Sequence, residues 1–440
     1  MVNLHIGMNR DQSSSFLNLR MANRHGLIAG ATGTGKTVTL QSIAEQFSEA
    51  GVPVFATDVK GDLSGIAHEG VLSQPLIDRA DELGIDDYTP KAYPAKTWDI
   101  FGEQGAHIRA TVKDMGPLIM SRLMGLSPTQ ASVLNVIFLM CDKRDMPLSS
   151  LDDFRDALVF AYENSEEISL QFGYVAPSTI GICQRGIALL ENQGGGKFFG
   201  LPEFDVHDLI QAENGMGVVN LLAADALMEN PQVYAGFIMW LMQKLFKGLP
   251  EVGDPEKPKI VFFFDEAHLL FKDAPKPLIN TIERVVRLIR SKGVGIYFVT
   301  QSPTDVPDAV LGQLGNRYQH ALRAFTARDQ RAVRAAAETF RPNPAFAIRD
   351  EIGTMGKGVA LVSTLNANAT PSMAEVVKIR PPRSHIGPVE LPEEDNPPLP
   401  PHEAPPEFSQ EDMRFLKNTQ IGGVCMFGGL VGAVLMWLLL

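Results

Sequence analysis

The run Gly30-Ala31-Thr32-Gly33-Thr34-Gly35-Lys36-Thr37 constrains this chain more tightly than any other part of it, because it matches GxxxxGK[ST] at every fixed position. The pattern is meaningful between a strand and a helix, and both are legible. His25–Ala29 is a short, mostly apolar run, and Thr37–Ala50 places Ile43, Ala44 and Phe47 on one helical face before Gly51. Glycines let the backbone curl so that successive N–H groups face an anion, and the helix N-terminus adds positive potential at the same place. In such a cradle Lys36 is expected to reach the β- and γ-phosphates of a nucleoside triphosphate, and Thr37 to ligate Mg²⁺. The expected cofactors are ATP and Mg²⁺, with Gly30, Ala31, Thr32, Gly33, Thr34, Gly35, Lys36 and Thr37 as the binding set.

Other strand ends supply polar groups. Ile260–Phe264 is an unbroken apolar run followed by Asp265 and Glu266. That is the pattern of a buried parallel strand delivering two carboxylates to its C-terminal end, where ligands bind in open α/β sheets. Asp265 is expected to hold Mg²⁺, directly or through a water, and Glu266 to polarise an attacking water. Tyr297–Thr300 leads into Gln301, an amide that orients the water, senses the γ-phosphate or simply ends a strand. Asp58-Val59-Lys60-Gly61-Asp62 follows the apolar run Val52–Thr57; its carboxylate and ammonium either tune the site or close a turn by a local ion pair. Arg284, Arg287 and Arg290 share one expected helix, and Arg317 precedes the last expected strand. Arg317 is favoured as an arginine finger on its own or a neighbour's nucleotide, against the reading of a solvated or salt-bridged arginine. His25 and His268 are read as structural, and nothing resembles a nucleophilic triad or a metal-ligand cluster.

Strand-like runs at Gly217–Leu222, Ile260–Phe264, Val294–Thr300 and His320–Phe325 alternate with helical patterns at Pro231–Leu249 and Ile279–Arg290. Strands separated by helices imply an α/β fold with a mostly parallel sheet covered on both faces. Val112–Met124, Gln130–Met140, Leu151–Tyr162 and Pro177–Glu191 are helical in spacing and imply an inserted helical subdomain. The expected organisation is a lead-in over 1–22, a core over 23–104 and 201–380, the helical insertion over 105–200, a linker over 381–412 and an apolar tail over 413–440. Pro381–Phe408 holds ten prolines and six acidic residues, so it is expected to be extended and mobile. Ile421–Leu440 is twenty uncharged residues, long enough to cross a bilayer as a helix; a buried helix or an oligomer contact is the alternative. Arg414 and Lys417 would keep the preceding side cytoplasmic.

The formal net charge of −12 argues against a constitutive DNA coat, so any nucleic-acid contact has to come from a local patch. Cys141, Cys183 and Cys425 lie far apart with no CxxC pair, which argues against disulfides and zinc and for a reducing compartment. Met1–Arg20 has no apolar run of the secretory kind. A cytoplasmic protein follows, attached to the inner membrane if the tail inserts.

Several of these runs together resemble the HerA/FtsK group of P-loop ATPases, and within it the bacterial YjgR-type HerA-like helicase proteins. They are Met21–Ile28 leading into Gly30–Thr37, Asp58–Asp62, Phe264-Asp265-Glu266-Ala267-His268 and Leu311–Arg317, and the resemblance spans roughly residues 20–380. It implies a RecA-like core of the additional-strand, catalytic-glutamate class with a helical insertion. It implies nucleotide and Mg²⁺ contacts at Lys36 and Thr37, a metal-holding Asp265, a catalytic Glu266, a polar sensor at Gln301 and an arginine near the nucleotide at Arg317. It further implies a hexameric ring of copies acting on double-stranded DNA. A membrane-attached, nucleotide-switched scaffold and a polypeptide-translocating ATPase are the alternatives. Members that process DNA ends carry a barrel before the phosphate loop, and the residues preceding Gly30 are too few for one. The acidic linker and apolar tail also depart from the group.

Overall fold

The computed structural model describes residues 3–86, 88–228, 231–272 and 276–389. In chain order its strands are β1 (Asn3–Asn9), β2 (Ser14–Asn18), β3 (Gly26–Ala29), β4 (Val54–Asp58), β5 (Ala95–Asp99), β6 (Ala106–His107), β7 (Ala212–Glu213), β8 (Met216–Gly217), β9 (Val219–Ala223), β10 (Ile260–Phe264), β11 (Val294–Thr300), β12 (Asn316–His320), β13 (Val359–Ser363) and β14 (Glu375–Ile379). β7 and β8 form a small hairpin; among the described residues the other twelve make one sheet in the order β2-β1-β14-β13-β12-β3-β11-β10-β4-β9-β5-β6. From β12 to β6 every pairing is parallel. From β12 through β13, β14 and β1 to β2 the pairings are antiparallel.

The central parallel strands β3, β4, β10 and β11 are buried from end to end because both faces are covered. In β10, Phe262 and Phe264 enter one core and Val261 and Phe263 the other. β11 divides in the same way, with Ile296 and Phe298 on the first face and Tyr297 and Val299 on the second. This is the strand period of two in a sheet with no solvent side. The first face packs helices Val112–Leu123, Pro128–Lys143, Leu151–Glu163 and Pro177–Asn192 together with Pro231–Gly248. The second packs α1 (Lys36–Glu49) through Leu40, Ile43, Ala44 and Phe47. Phe47 is fully buried against Phe263 and Tyr297, with both ring centroids 6.3 Å away. A third cluster seats helices Ala327–Glu338 and Ile348–Thr354 on the antiparallel extension.

Three segments differ from the reading of the sequence. Residues 3–18, taken as a lead-in, pair as β1 and β2 and bury Leu4, Ile6 and Leu17. The strand expected at His320–Phe325 lies earlier, at Asn316–His320. Its sequence is too polar to stand out, and its place is set by parallel pairing with β3, Asn316 opposite Gly26 and Gln319 opposite Ala29. The start of the expected linker is a fixed strap. Glu45 on α1 accepts from the backbone N–H groups of Arg383 and Ser384, and Gln41 donates to Ser384 Oγ and the His385 carbonyl. The rest of that linker and the apolar tail lie outside the described residues. Among the described residues no helix is long and apolar enough to cross a membrane.

Candidate active site

The parallel strands end along one edge of the sheet, and the sheet order decides what meets there. β11 lies between β3 and β10, so the loop after β3, the turn after β11 and the acids after β10 are consecutive along that edge. Gly30 N donates to Thr300 O at 3.2 Å and Ala31 N to Ala321 O at 2.9 Å, which anchors the loop to β11 and to the end of β12. Gly30, Gly33 and Gly35 all have positive φ, and Gly35, at 115°, is the N-cap of α1. A Cβ on Gly30 would sit 2.5 Å from His320 Cβ, so this glycine is required by the close approach as well as by its backbone angle. Thr34 closes the loop, its hydroxyl donating to Ala31 O at 2.6 Å, and Gly358 N donates to Thr34 O from outside.

Lys36 folds back over the loop, with Nζ 2.8 Å from Gly30 O and 3.3 Å from Ala31 O. Burial lowers its pKa, opposed by the charges of Asp265 and Glu266 and reinforced by that of Lys60. The charges of both acids thus bear on the ammonium, because sheet order brings the ends of β3 and β10 to one edge. Asp265 is fixed through its backbone: its N–H donates to Thr57 Oγ1 at 2.8 Å, and its carbonyl accepts from the Tyr234 hydroxyl at 2.8 Å. Its Oδ1 accepts from Glu266 N at 2.8 Å. Burial pushes the Asp265 carboxyl up to about 6, and the Glu266 N–H, Lys36 and Lys60 oppose that rise.

Glu266 carries φ of 46°, a left-handed conformation costly for a residue with a side chain and concentrated at functional sites. Its carboxylate has Oε1 3.8 Å from Lys60 Nζ and Oε2 3.2 Å from His268 Nδ1. The Oε2 contact lies within ion-pair distance but lacks hydrogen-bond geometry. His268, read from sequence as structural, thus belongs to the acid's surroundings. His25 is structural as expected: it is buried and its Nδ1 accepts from Ile296 N at 3.1 Å.

Gln301 directly follows β11 and is exposed on the edge between the phosphate loop and Asp265. The turn beneath it is held by Asp305, which accepts from Thr300 Oγ1 at 2.7 Å and Ser302 N at 3.0 Å. Arg317 does not join the cluster. It pairs with Leu27, two residues before the end of β3, and its guanidinium donates to the carbonyls of Leu314, Thr339 and Leu311 at 3.1, 2.6 and 3.0 Å. Arg290 faces Asp254 at the opposite edge, beside the start of β11.

His320 was not singled out from the sequence. It is buried directly behind the loop, with Nε2 2.9 Å from Thr39 Oγ1 on α1, and burial next to Lys36 pushes it down to about 4. Its partner is 281 positions away, so nothing local in the sequence marks it. Asp58 braces the turn after β4 by accepting from Leu63 N at 3.0 Å, and burial pushes it up to about 6.

The residues suit a triphosphate with one Mg²⁺. Open backbone at three glycines and an ammonium form the anion cradle, and the Asp265 carboxylate, with one hydrogen bond among the described residues, stands at the same sheet edge. Among the described residues no group of three acidic, histidine or cysteine side chains could hold a metal alone. That is the expected donor set for Mg²⁺, which keeps waters and phosphate oxygens as most of its ligands. Thr37 opens α1 next to Lys36 and offers the hydroxyl.

The family model of the helicase HerA-like C-terminal domain matches residues 3–398. A search of curated protein sequences gives no match. Solved structures share the fold. VirB4 of Thermoanaerobacter pseudethanolicus is 14% identical with a TM-score of 0.56, over 86% of this chain and 96% of that one. The plasmid coupling protein TrwB in complex with a non-hydrolysable ATP analogue is 13% identical with a TM-score of 0.57, over 88% and 95%. TrwB in complex with ADP and Mg²⁺ is 13% identical with a TM-score of 0.55, over 88% and 97%. At such identities the likeness is one of fold, the RecA-like P-loop NTPase architecture.

Proposed function

The chain belongs to the helicase HerA-like C-terminal family, and on that premise we propose that it is an ATP-hydrolysing ring motor of the HerA/FtsK type that translocates or unwinds double-stranded DNA. One observation carries the hydrolytic part: the glycine loop with Lys36 and the acids Asp265 and Glu266 follow strands β3 and β10, which only β11 separates on one sheet edge, and of the three side chains Glu266 alone has a strained backbone. In this reading the loop N–H groups and Lys36 hold the β- and γ-phosphates, while Thr37 and Asp265 hold Mg²⁺, which neutralises phosphate charge when bound. Glu266 takes a proton from water as the water oxygen bonds to the γ-phosphorus. The bond from that phosphorus to the β–γ bridging oxygen breaks, leaving ADP and inorganic phosphate. Gln301 orients the water from the neighbouring strand end. Most of the acceleration comes from position and charge. The test is steady-state ATP hydrolysis by Lys36→Ala and Glu266→Gln; turnover at the wild-type rate in either would sink this assignment.

A basic ridge supports DNA as the polymer. On helix Ala327–Glu338, which follows the β12 end of the same sheet edge, Arg328, Arg331 and Arg334 are exposed and make no hydrogen bond or ion pair within 4.0 Å among the described residues. Such a row in a chain of net charge −12 suits a phosphate backbone. Double-stranded DNA should stimulate hydrolysis, with an apparent affinity that falls steeply as salt rises, and replacing the three arginines with glutamate should abolish the stimulation. Stimulation by polypeptide and not by DNA would favour a polypeptide-translocating ATPase, and none by either would favour a nucleotide-switched scaffold at the membrane. A hexameric ring predicts a sixfold particle mass with ATP. Membrane attachment rests on residues 421–440, and their deletion should release the protein from membranes.

A further inference from the structure

Lys60 is the one cation of the site that neither the phosphate loop nor the metal-holding pair accounts for. It lies in the turn after β4, yet its one ion pair among the described residues is with Glu266, on the end of the next strand. At 3.8 Å the contact is beyond hydrogen-bond length, and the lysine side chain is 54% exposed while that of Glu266 is 12% exposed. The ammonium is therefore the free partner, resting over a confined acid. Its charge also bears on both Lys36 and Asp265, so it overlooks the cradle as a whole.

The backbone that delivers it is fixed. Asp58 holds Leu63 N, Ser64 Oγ donates to Gly61 O at 2.8 Å, and Val389 N in the strap donates to Ser64 Oγ at 2.8 Å. Gly65 is packed so closely on the strap that a Cβ there would lie 2.3 Å from His385 O. Above this braced turn the exposed side chain of Lys60 has room to move.

Resting on the hydrolytic reading above, we propose that Lys60 senses the γ-phosphate: its ammonium holds the Glu266 carboxylate in the free chain and passes to a γ-phosphate oxygen when a nucleoside triphosphate binds. The charge balance favours the transfer. A triphosphate carries more negative charge than one Mg²⁺ and Lys36 neutralise, and two carboxylates already line the site. A terminal phosphate is a stronger attractor for the ammonium than one carboxylate at 3.8 Å. Once Lys60 leaves, the Glu266 carboxylate keeps its contact with His268 and is free to meet the water. A diphosphate supplies no γ-oxygen, so the Lys60–Glu266 contact persists with ADP and the acid stays restrained after turnover.

The experiment compares the full-length wild type with Lys60→Met and Lys60→Arg. Affinities for Mg²⁺–ADP and for a non-hydrolysable Mg²⁺–ATP analogue are measured by displacement of a fluorescent nucleotide, alongside kcat and KM for ATP. Lys60→Met should weaken the ATP analogue about tenfold and leave ADP within about twofold. It should also lower kcat about tenfold or more, and Lys60→Arg should restore most of both. A wild-type ratio of analogue to ADP affinity in Lys60→Met, with wild-type kcat, overturns the proposal. So does equal weakening of both nucleotides, which would mark Lys60 as a structural support of the loop. If Lys60→Met does not fold, Lys60→Gln replaces it and is judged by the same ratio. Wild-type protein that binds neither nucleotide overturns the ATPase reading itself, a failure seen before any variant is compared.

Discussion

The molecule seats two crowded carboxylates in two very different ways, and the difference separates its working edge from its scaffolding. Glu45 lies under the strap on α1, and Asp265 lies at the end of β10. Burial pushes both acids up. Glu45 is then surrounded by donors: the backbone N–H groups of Arg383 and Ser384 and the Ser384 hydroxyl all point at it. Among the described residues Asp265 receives one hydrogen bond to its carboxylate, from Glu266 N, and otherwise feels the charges of Lys36 and Lys60, neither of which bonds to it. It also keeps an opening to solvent that Glu45 lacks. A buried acid with its lone pairs filled is part of the structure; one left short of donors beside an anion cradle is suited to a cation.

This contrast can be broken most directly by removing the chemistry. Lys36→Ala should abolish turnover, and Glu266→Gln should lower kcat by at least about 10²-fold while nucleotide still binds. Next, Asp265→Asn should raise the Mg²⁺ concentration needed for half-maximal hydrolysis by at least about tenfold. Glu45→Ala should instead leave that Mg²⁺ requirement unchanged and cost about 2–3 kcal/mol of stability in denaturant titrations, because strap donors lose their acceptor. Stability loss in the first variant and a Mg²⁺ effect in the second would reverse the two roles.

A smaller effect concerns the buried imidazoles behind the cradle. His320 and His25 are held down to about 4 by burial, so the unfolded chain binds protons that the folded chain refuses between about pH 6.5 and 4. Folding stability should therefore be fully present above pH 6.5 and fall as pH drops through this window. His320→Gln should flatten part of that slope in a series of Tm measurements, by about 2 kcal/mol between the ends of the window. An unchanged slope would mean that His320 is charged in the folded chain. The smallest expected change in catalysis is at Arg317. With three donors tied to backbone carbonyls, Arg317→Ala should cost about 2–3 kcal/mol of stability and leave kcat of the folded protein within about twofold. A large loss of kcat at unchanged Tm would return Arg317 to the nucleotide.

The elements that could be read from the sequence share one property: their signal is local. GxxxxGKT carries its own geometry, and the five apolar residues of β10 followed by two acids announce a buried strand end without reference to any other segment. The helices between β6 and β7 fall where the apolar spacing puts them, within a few residues of Val112–Leu123, Leu151–Glu163 and Pro177–Asn192. β12 escaped because Asn-Arg-Tyr-Gln-His has no apolar run, and its ladder partner was needed to locate it. β1 and β2 escaped for a similar reason: short, half-polar strands look like a lead-in until β14 pairs with them. The strap looked mobile because ten prolines and six acids suggest an uncovered segment, while Glu45, some 340 positions earlier, offers its backbone an acceptor.

Residue type and spacing alone announce a phosphate cradle at the start of α1, the emergence of Asp265 and Glu266 at a strand end, and the burial of the strand that carries them. Each of these follows from residue type and spacing over fewer than ten positions. Which charges share a space depends on how distant segments pack. That packing placed β11 between the cradle and the acids, set Lys60 and His268 on either side of Glu266, put His320 beneath Gly30, and tied Arg317 to the carbonyls around it. Those meetings join segments far apart along the chain. They are fixed by sheet order and packing, which no local pattern encodes.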